Sequence, residues 1–587
     1  MVLKAHEARE AESPKTTLAA LAVEQLKREG VTAIFGIPGG PATPIFDALY
    51  HEPSIRTVVA RHEAGAAFMA LGYARLSGRL GVCVVTTGPG TTNALTAVAA
   101  AKMDSLPILV LSAQVATATF GRGAAQDSYE RIDVVDMFRS ATKMSVMAAH
   151  PRNFAATLRQ AIRLAMTGRR GPVHVNIPSD LMRRQVPLEL EWPHEYRSFG
   201  RTFDREAVKQ AAERLLEAER PAILAGHGVN LSGAQAELLE LAELLSLPVA
   251  TTPKGKGAFS EEHPLSLGVF GVASSVRAET YLLSGTVDVL FVMGSSLHEC
   301  STEGWDARLK PGKALLHLDV DAGVIGRNFP VAVPMLGDVK TTLRELLHHL
   351  RRLIKQGEHP PRLRPQSYGD SLEIPLVMDP AAMHSPQIPI KPQRLMHELN
   401  RALPPDAAIF LDSGNNTFWA VHYLKANGKN VFVNGIGEFG AMGFGVAACL
   451  GAKIAAPGRP VVAVVGDGGV GMLGMEISTA ATYGIPVVWV VLNDSRLNAV
   501  YHGQRLQYAG RTIGCDFKRM DLVLVAEGLG AKGYRIDFPD DIAPALREAL
   551  SCGGPALLDV HIDAGEAPPI HARIRSLERF FAGMAVE

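Results

Sequence analysis

The chain has 587 residues, 47% of them hydrophobic and 20% charged, with 59 basic and 59 acidic side chains. At about 150 residues per domain this is too long for one core and suits three or four domains. Zero formal charge gives no electrostatic ground for nucleic acid or an anionic membrane as partner, and no apolar run approaches the ~18 residues of a membrane-crossing helix.

Residues 1–16 read as a charged N-terminal extension without an apolar h-region, so no secretory signal is expected. From 17 to 188, short apolar runs such as "TAIFGIPG", "GVCVVTTGPG", "LPILVLSAQV" and "GPVHVNIP" alternate with Ala-rich amphipathic stretches. Unbroken apolar strands between helices predict a parallel sheet covered on both faces. The pattern breaks at 189–202 and resumes over 203–353, with strands in "PAILAGHG", "PVATTP", "VDVLFVMGSS" and "ALLHLDVD". Residues 354–393 are proline-rich and read as a linker. A third block, 394–565, holds "AAIFLDSGNN", "PVVAVVGDGG", "IPVVWVVLND" and "PALLDVHID", and a tail covers 566–587. The expectation is an α/β protein of three doubly wound parallel-sheet domains. Cys83, Cys300, Cys449, Cys515 and Cys552 form no CxxC pair. Reduced thiols and a cytoplasmic location are therefore expected.

The chemistry concentrates in "VVGDGGVG". Gly466, Gly468 and Gly471 match the GxGxxG dinucleotide fingerprint literally, and Asp494 could stand for its ribose-binding acid. Asp467 argues otherwise, because a carboxylate inside the turn would face a bound phosphate. In a right-handed parallel unit the strands before Asp467 and Asp494 end on one edge of the sheet. The two acids are then neighbours and form a hard oxygen site suited to Mg²⁺ with phosphate oxygens. The helix start and the Gly468 and Gly469 N–H groups would hold the phosphate. Taken singly, Asp467 is an ordinary turn residue and Asp494 an ordinary strand-end cap.

A GDG turn followed at this spacing by an Asn-containing strand end resembles the thiamine diphosphate motif. "FGIPGG", "RHEAGAAFMALGYARLSG", "TTGPGTTNALT", "AKMDSLPILVLSAQV", "PKGKGAF", "HPLSLG" and "GAMGFGVA" extend the resemblance, in order, to the acetolactate synthase branch of that superfamily. The resemblance implies a pyrimidine-binding domain, a central domain and a diphosphate-binding domain, with thiamine diphosphate and Mg²⁺ as cofactors. It places Glu63 on N1′ of the aminopyrimidine and Met442 beneath the cofactor, with the Gly440 carbonyl toward the amino group. Ser413, Gly414, Asn415 and Asn416 fall on a second diphosphate loop, Asn415 and Asn416 donating to phosphate. Gly466, Asp467, Gly468 and Gly469 form the clamp, and the metal falls to Asp467, Asp494 and the Arg496 main-chain carbonyl. Gly40 becomes an oxyanion-side donor and Gln126 a substrate-side amide.

The implied activity is decarboxylation of a 2-oxo acid such as pyruvate and transfer of the activated aldehyde to an acceptor carbonyl. A more specialised lyase or transferase on the same machinery is the alternative within enzymes: a plain 2-oxo acid decarboxylase, a sulfoacetaldehyde acetyltransferase, a carboxyethyl-transferring synthase or an oxalyl-CoA decarboxylase. A non-catalytic cofactor-binding homologue is the alternative of another class. A homodimer or homotetramer with active sites between chains is also implied. Three positions depart from the pattern. Asp494 replaces Asn. Gly503 and Ala499 replace a Trp and a Met, leaving Tyr501, His502 and Arg505 as polar contributors. Ser296 replaces the flavin-contacting arginine, which counts against FAD, a structural cofactor in those synthases.

Overall fold

The computed structural model describes residues 14–127, 131–356, 373–435, 439–571 and 574. Three six-stranded sheets follow one another along the chain, and every strand pair within them is parallel. The first runs from Ala33–Gly36 to Val173–Pro178, the second from Pro221–Ala225 to Val333–Leu336, and the third from Ala408–Leu411 to Ala556–His561. Numbered within each sheet, the first and third share the strand order 2-1-3-4-6-5, while the second has 3-2-1-4-5-6. Each order reverses beside strand 1, which opens a crevice at the carboxyl ends of the strands there. Those crevices receive "GIPGG" and "TTGPG" in the first sheet, and "DSGNN" and "GDGG" in the third.

Several expected boundaries move. Lys15–Thr17 pairs antiparallel with Gln185–Pro187, so the first block begins inside the expected extension. The linker is shorter than 354–393 at both ends, because the Val339–Lys355 helix enters it and the Pro392–Ala402 helix starts within it. Residues 1–13, 357–372 and most of the tail lie outside the described residues.

The first and third sheets share one core. The Glu63–Ser77 and Phe444–Ala455 helices cross with backbones almost touching. A Cβ on Gly72 would stand 1.9 Å from the Ala448 carbonyl oxygen, and one on Gly451 would stand 1.8 Å from that of Met69. Only glycine permits that approach. No helix among the described residues is long and apolar enough to cross a membrane.

Candidate active site

The third sheet builds a clamp from four loops. The Val461–Gly466 strand pairs with Val488–Asn493, Gly466 opposite Leu492, which brings Asp467 and Asp494 together as parallel pairing requires. Asp467 Oδ2 accepts from the N–H groups of Ser495 (2.7 Å) and Asp494 (3.2 Å), and its Oδ1 from Gly468 (2.7 Å). Ser495 adopts the left-handed conformation, φ 59°, that turns those N–H groups inward. Asp494 in turn accepts from Asn498 Nδ2 at 2.7 Å. Burial pushes Asp467 up to about 7, the Asp494 charge adding to it. Burial also pushes Asp494 up to about 6, against the Asn498 hydrogen bond. A buried and a half-buried carboxylate that resist ionisation side by side suit a cation between them. No cluster of three or more His, Cys, Asp or Glu side chains suited to a metal occurs among the described residues. Two acids and a main-chain carbonyl fit a metal that also binds phosphate oxygens.

The expected second diphosphate loop follows Ala408–Leu411. Gly414 has φ 133°, and the Asn415–Tyr423 helix begins directly after it. Both polar atoms of the Asn415 amide are buried without a partner. An unsatisfied donor at a helix start fits a phosphate oxygen. Asn416 corrects the expectation for it: its Nδ2 donates to the carbonyls of Asp412 (2.7 Å) and Val464 (3.1 Å), so it ties two strands together. Gly440, with φ 68°, lies beside Ser413, whose Oγ would be 3.5 Å from a Cβ there. Met442 reaches across the clamp. A Cβ on Gly468 would meet Met442 Cε at 3.0 Å and Leu497 Cδ2 at 2.9 Å.

Beneath these loops lies Asp412, which sequence reasoning missed although it precedes "SGNN" directly. Its carboxylate is fully buried and accepts from the N–H groups of Gly443 (3.0 Å) and Gly445 (2.9 Å). Burial pushes it up to about 6, against those two hydrogen bonds. After GDGG the chain forms two helices, Asp467–Leu473 and Glu476–Tyr483, parted at Gly474–Met475.

In the first sheet, Glu63 opens its helix, with the His62 ring capping the Ala64 N–H at 3.1 Å. Asn93 Nδ2 donates to Glu63 Oε2 at 2.9 Å, and a Cβ on Gly90 would lie 3.2 Å from Oε1. Gln126 has φ 60°, and its carbonyl accepts from Thr87 Oγ1 at 3.1 Å, which docks it on the same "TTGPG" turn. Gly40 begins the turn Gly40–Ala42 on the neighbouring strand's loop. Glu63, Gln126 and Gly40 thus gather at one crevice, and the clamp residues at another.

Arg496 pairs with Asp516 and stacks on Tyr501, 3.8 Å from the ring centroid. Arg505 approaches the same ring at 5.6 Å, and His502 Nε2 is buried without a partner. The reversal point of the second sheet opens on a cavity of about 630 Å³, whose wall includes Arg169, Arg170, Arg201, His227, Lys254 and Ser296.

Three family models match in order: the N-terminal TPP binding domain of thiamine pyrophosphate enzymes over residues 16–137, their central domain over 208–346, and their C-terminal TPP binding domain over 412–560. The chain belongs to the thiamine diphosphate-dependent enzymes. Among its relatives, a "Probable acetolactate synthase large subunit" of Methanocaldococcus jannaschii is 37% identical over 564 residues, 93% of this chain and 92% of the relative. The acetolactate synthase isozyme 3 large subunit of Escherichia coli is 34% identical, over 91% and 92% of the two chains. The acetolactate synthase large subunit of Corynebacterium glutamicum is 32% identical, over 92% and 86%. Its branch is therefore that of the acetolactate synthase large subunits.

Proposed function

We propose that the chain is a thiamine diphosphate- and Mg²⁺-dependent carboligase of acetolactate synthase type, acting on a 2-oxo acid such as pyruvate. The observation that carries this is the Asp467–Asp494 pair at the mouth of a glycine turn, together with the unpartnered Asn415 amide. When bound, thiamine diphosphate supplies a thiazolium ring that can attack a keto carbon and take up the electron pair released as carbon dioxide leaves.

The first block then serves the pyrimidine, the third serves the diphosphate, and the second lies between them in sequence. Asp467, Asp494 and the Arg496 carbonyl hold the metal. Asn415 and the Gly468 and Gly469 N–H groups hold phosphate oxygens. Met442, already over Gly468, supports the cofactor and keeps water from it. Glu63 exchanges a proton with N1′ of the aminopyrimidine through the carboxylate oxygen that Asn93 leaves free. Gly40 and Gln126 face the substrate carbonyl. Flavin is not part of this reading, which rests on the clamp and the Glu63 crevice.

Active sites between two copies of the chain accommodate the separate crevices of Glu63 and the clamp. Exposed apolar side chains near the clamp support that assembly: Phe439, Met472 and Met475 are 43%, 56% and 60% exposed. Cytoplasmic residence accords with five free cysteines.

Incubation of the purified protein with thiamine diphosphate, Mg²⁺ and a panel of 2-oxo acids tests the reading, with carbon dioxide and coupled products as readouts. Glu63→Gln is expected to lower turnover by at least about a hundredfold while cofactor remains bound. Full activity in that variant would sink the mechanism. An absorbance scan of the same sample tests for flavin.

A further inference from the structure

The segment that delivers Glu63 is held by the other cofactor-binding block. Glu476 opens the Glu476–Tyr483 helix, is fully buried, and points its carboxylate at the residues just before Glu63. Its Oε1 accepts from the N–H groups of His62 (2.9 Å) and Arg61 (3.1 Å), and its Oε2 from Thr479 Oγ1 (2.7 Å). The Arg61 guanidinium closes over the same helix, donating to Ser478 Oγ at 3.0 Å and Thr482 Oγ1 at 2.9 Å. Gly65 leaves room for this carboxylate: a Cβ there would stand 2.1 Å from Glu476 Oε1. A buried carboxylate at a helix N-terminus satisfies donors that have no partner within the helix and is favoured by the helix dipole.

We infer that Glu476 is a positioning residue for Glu63: it clamps the backbone of Arg61 and His62 and so sets where the Glu63 carboxylate stands. The inference rests on the proposed role of Glu63 at the cofactor. Nine positions separate Asp467 from Glu476, so the Asp467–Leu473 helix and the break at Gly474–Met475 carry the chain from the metal loop to the base of the Glu63 helix. Removing the carboxylate leaves two buried N–H groups without an acceptor and lets the Glu63 helix start shift. Misplacement of a catalytic group by about 1 Å costs on the order of a hundredfold in rate.

The test uses the holoenzyme with thiamine diphosphate, Mg²⁺ and pyruvate, in the variants E476A, E476Q, G65A and G65A/E476A. Amide hydrogen exchange over residues 61–66 is followed in each. E476A is expected to lower kcat by at least about tenfold, with KM and cofactor affinity within about threefold and faster exchange at 61–66. E476Q, whose amide oxygen still accepts from Arg61 and His62, is expected to restore both readouts. G65A is expected to act like E476A, and adding it to E476A to cost nothing more, because the group it would strike is gone. Undiminished kcat in E476A, unchanged exchange at 61–66, or E476Q as damaged as E476A would each overturn the inference. If E476A does not fold, G65A and E476Q still decide it. If the parent protein turns over no 2-oxo acid, the proposed function fails, and exchange at 61–66 alone still decides whether Glu476 holds that segment.

Discussion

Asp412 Oδ2 fills the space a side chain at Gly469 would need, 2.1 Å from where its Cβ would stand. The same carboxylate holds the N–H groups of Gly443 and Gly445, and its own residue leads into Ser413. One buried acid therefore braces three of the clamp loops, those of Ser413, Gly443 and Gly469. Gly469→Ala would drive that carboxylate off its donors. The expected loss is about 1–3 kcal/mol of stability, with cofactor affinity reduced by at least about tenfold. Denaturant melts and calorimetric titration with thiamine diphosphate and Mg²⁺ check this. Parental affinity in Gly469→Ala would show that the loops are held independently.

Asp494 puts a second carboxylate beside Asp467. Asp494→Asn removes a like charge beside Asp467, so the metal-free variant should melt higher than the parent near neutral pH, by about 2–4 °C. Its Mg²⁺ affinity should fall on the order of tenfold, since one carboxylate fewer faces the ion. Thermal melts with and without Mg²⁺ give both numbers. A variant that melts lower without metal, or binds Mg²⁺ more tightly, would contradict the account.

Acid should weaken the fold through buried histidines. His174 is fully buried; its Nδ1–H donates to Ser145 Oγ, which passes its own proton to the Val135 carbonyl, and its Nε2 accepts from Ser112 Oγ. Burial pushes its pKa down to about 3, so the ring is neutral near pH 7 and takes this tautomer. Burial likewise pushes His422 down to about 4. Unfolded, both titrate near 6.5, so below that pH the unfolded chain binds protons that the folded chain refuses. Their contribution is complete above about pH 6.5 and falls as pH drops toward 4 and then 3, by about 1.4 kcal/mol per pH unit for each proton. Asp412, Asp467 and Asp494, raised by burial, act in the opposite sense, so the histidine contribution is read as a difference: from pH 7 to pH 4 the melting temperature of His174→Gln should fall less, or rise more, than that of the parent. An unchanged slope in the variant would refute the assignment to His174.

Most central strands were legible because they are short, unbroken and apolar. The missed strands are mainly edges. Arg56–Val59 and Met144–Met147 are half-buried, Val333–Leu336 alternates buried and exposed, and Lys532–Ile536 carries Lys, Tyr and Arg. These four edge strands are only partly covered, so their pattern merges with that of loops. Ser266–Val269 is wholly buried but was hidden by Gly268, which stands at φ 85°.

The sequence by itself determined the clamp: a glycine turn carrying Asp467, a strand ending at Asp494, and parallel pairing that must bring them together. Those are consequences of strand period and turn chemistry, which act over a few residues and one crossover. Only the tertiary structure decided what holds the catalytic parts in place. Asp412 under Gly469, Asn416 spent on two carbonyls and Glu476 on the His62 N–H, 414 positions away, depend on which loops and helices pack together. A buried carboxylate takes whatever donors packing brings to it, and no local pattern names a partner from another domain.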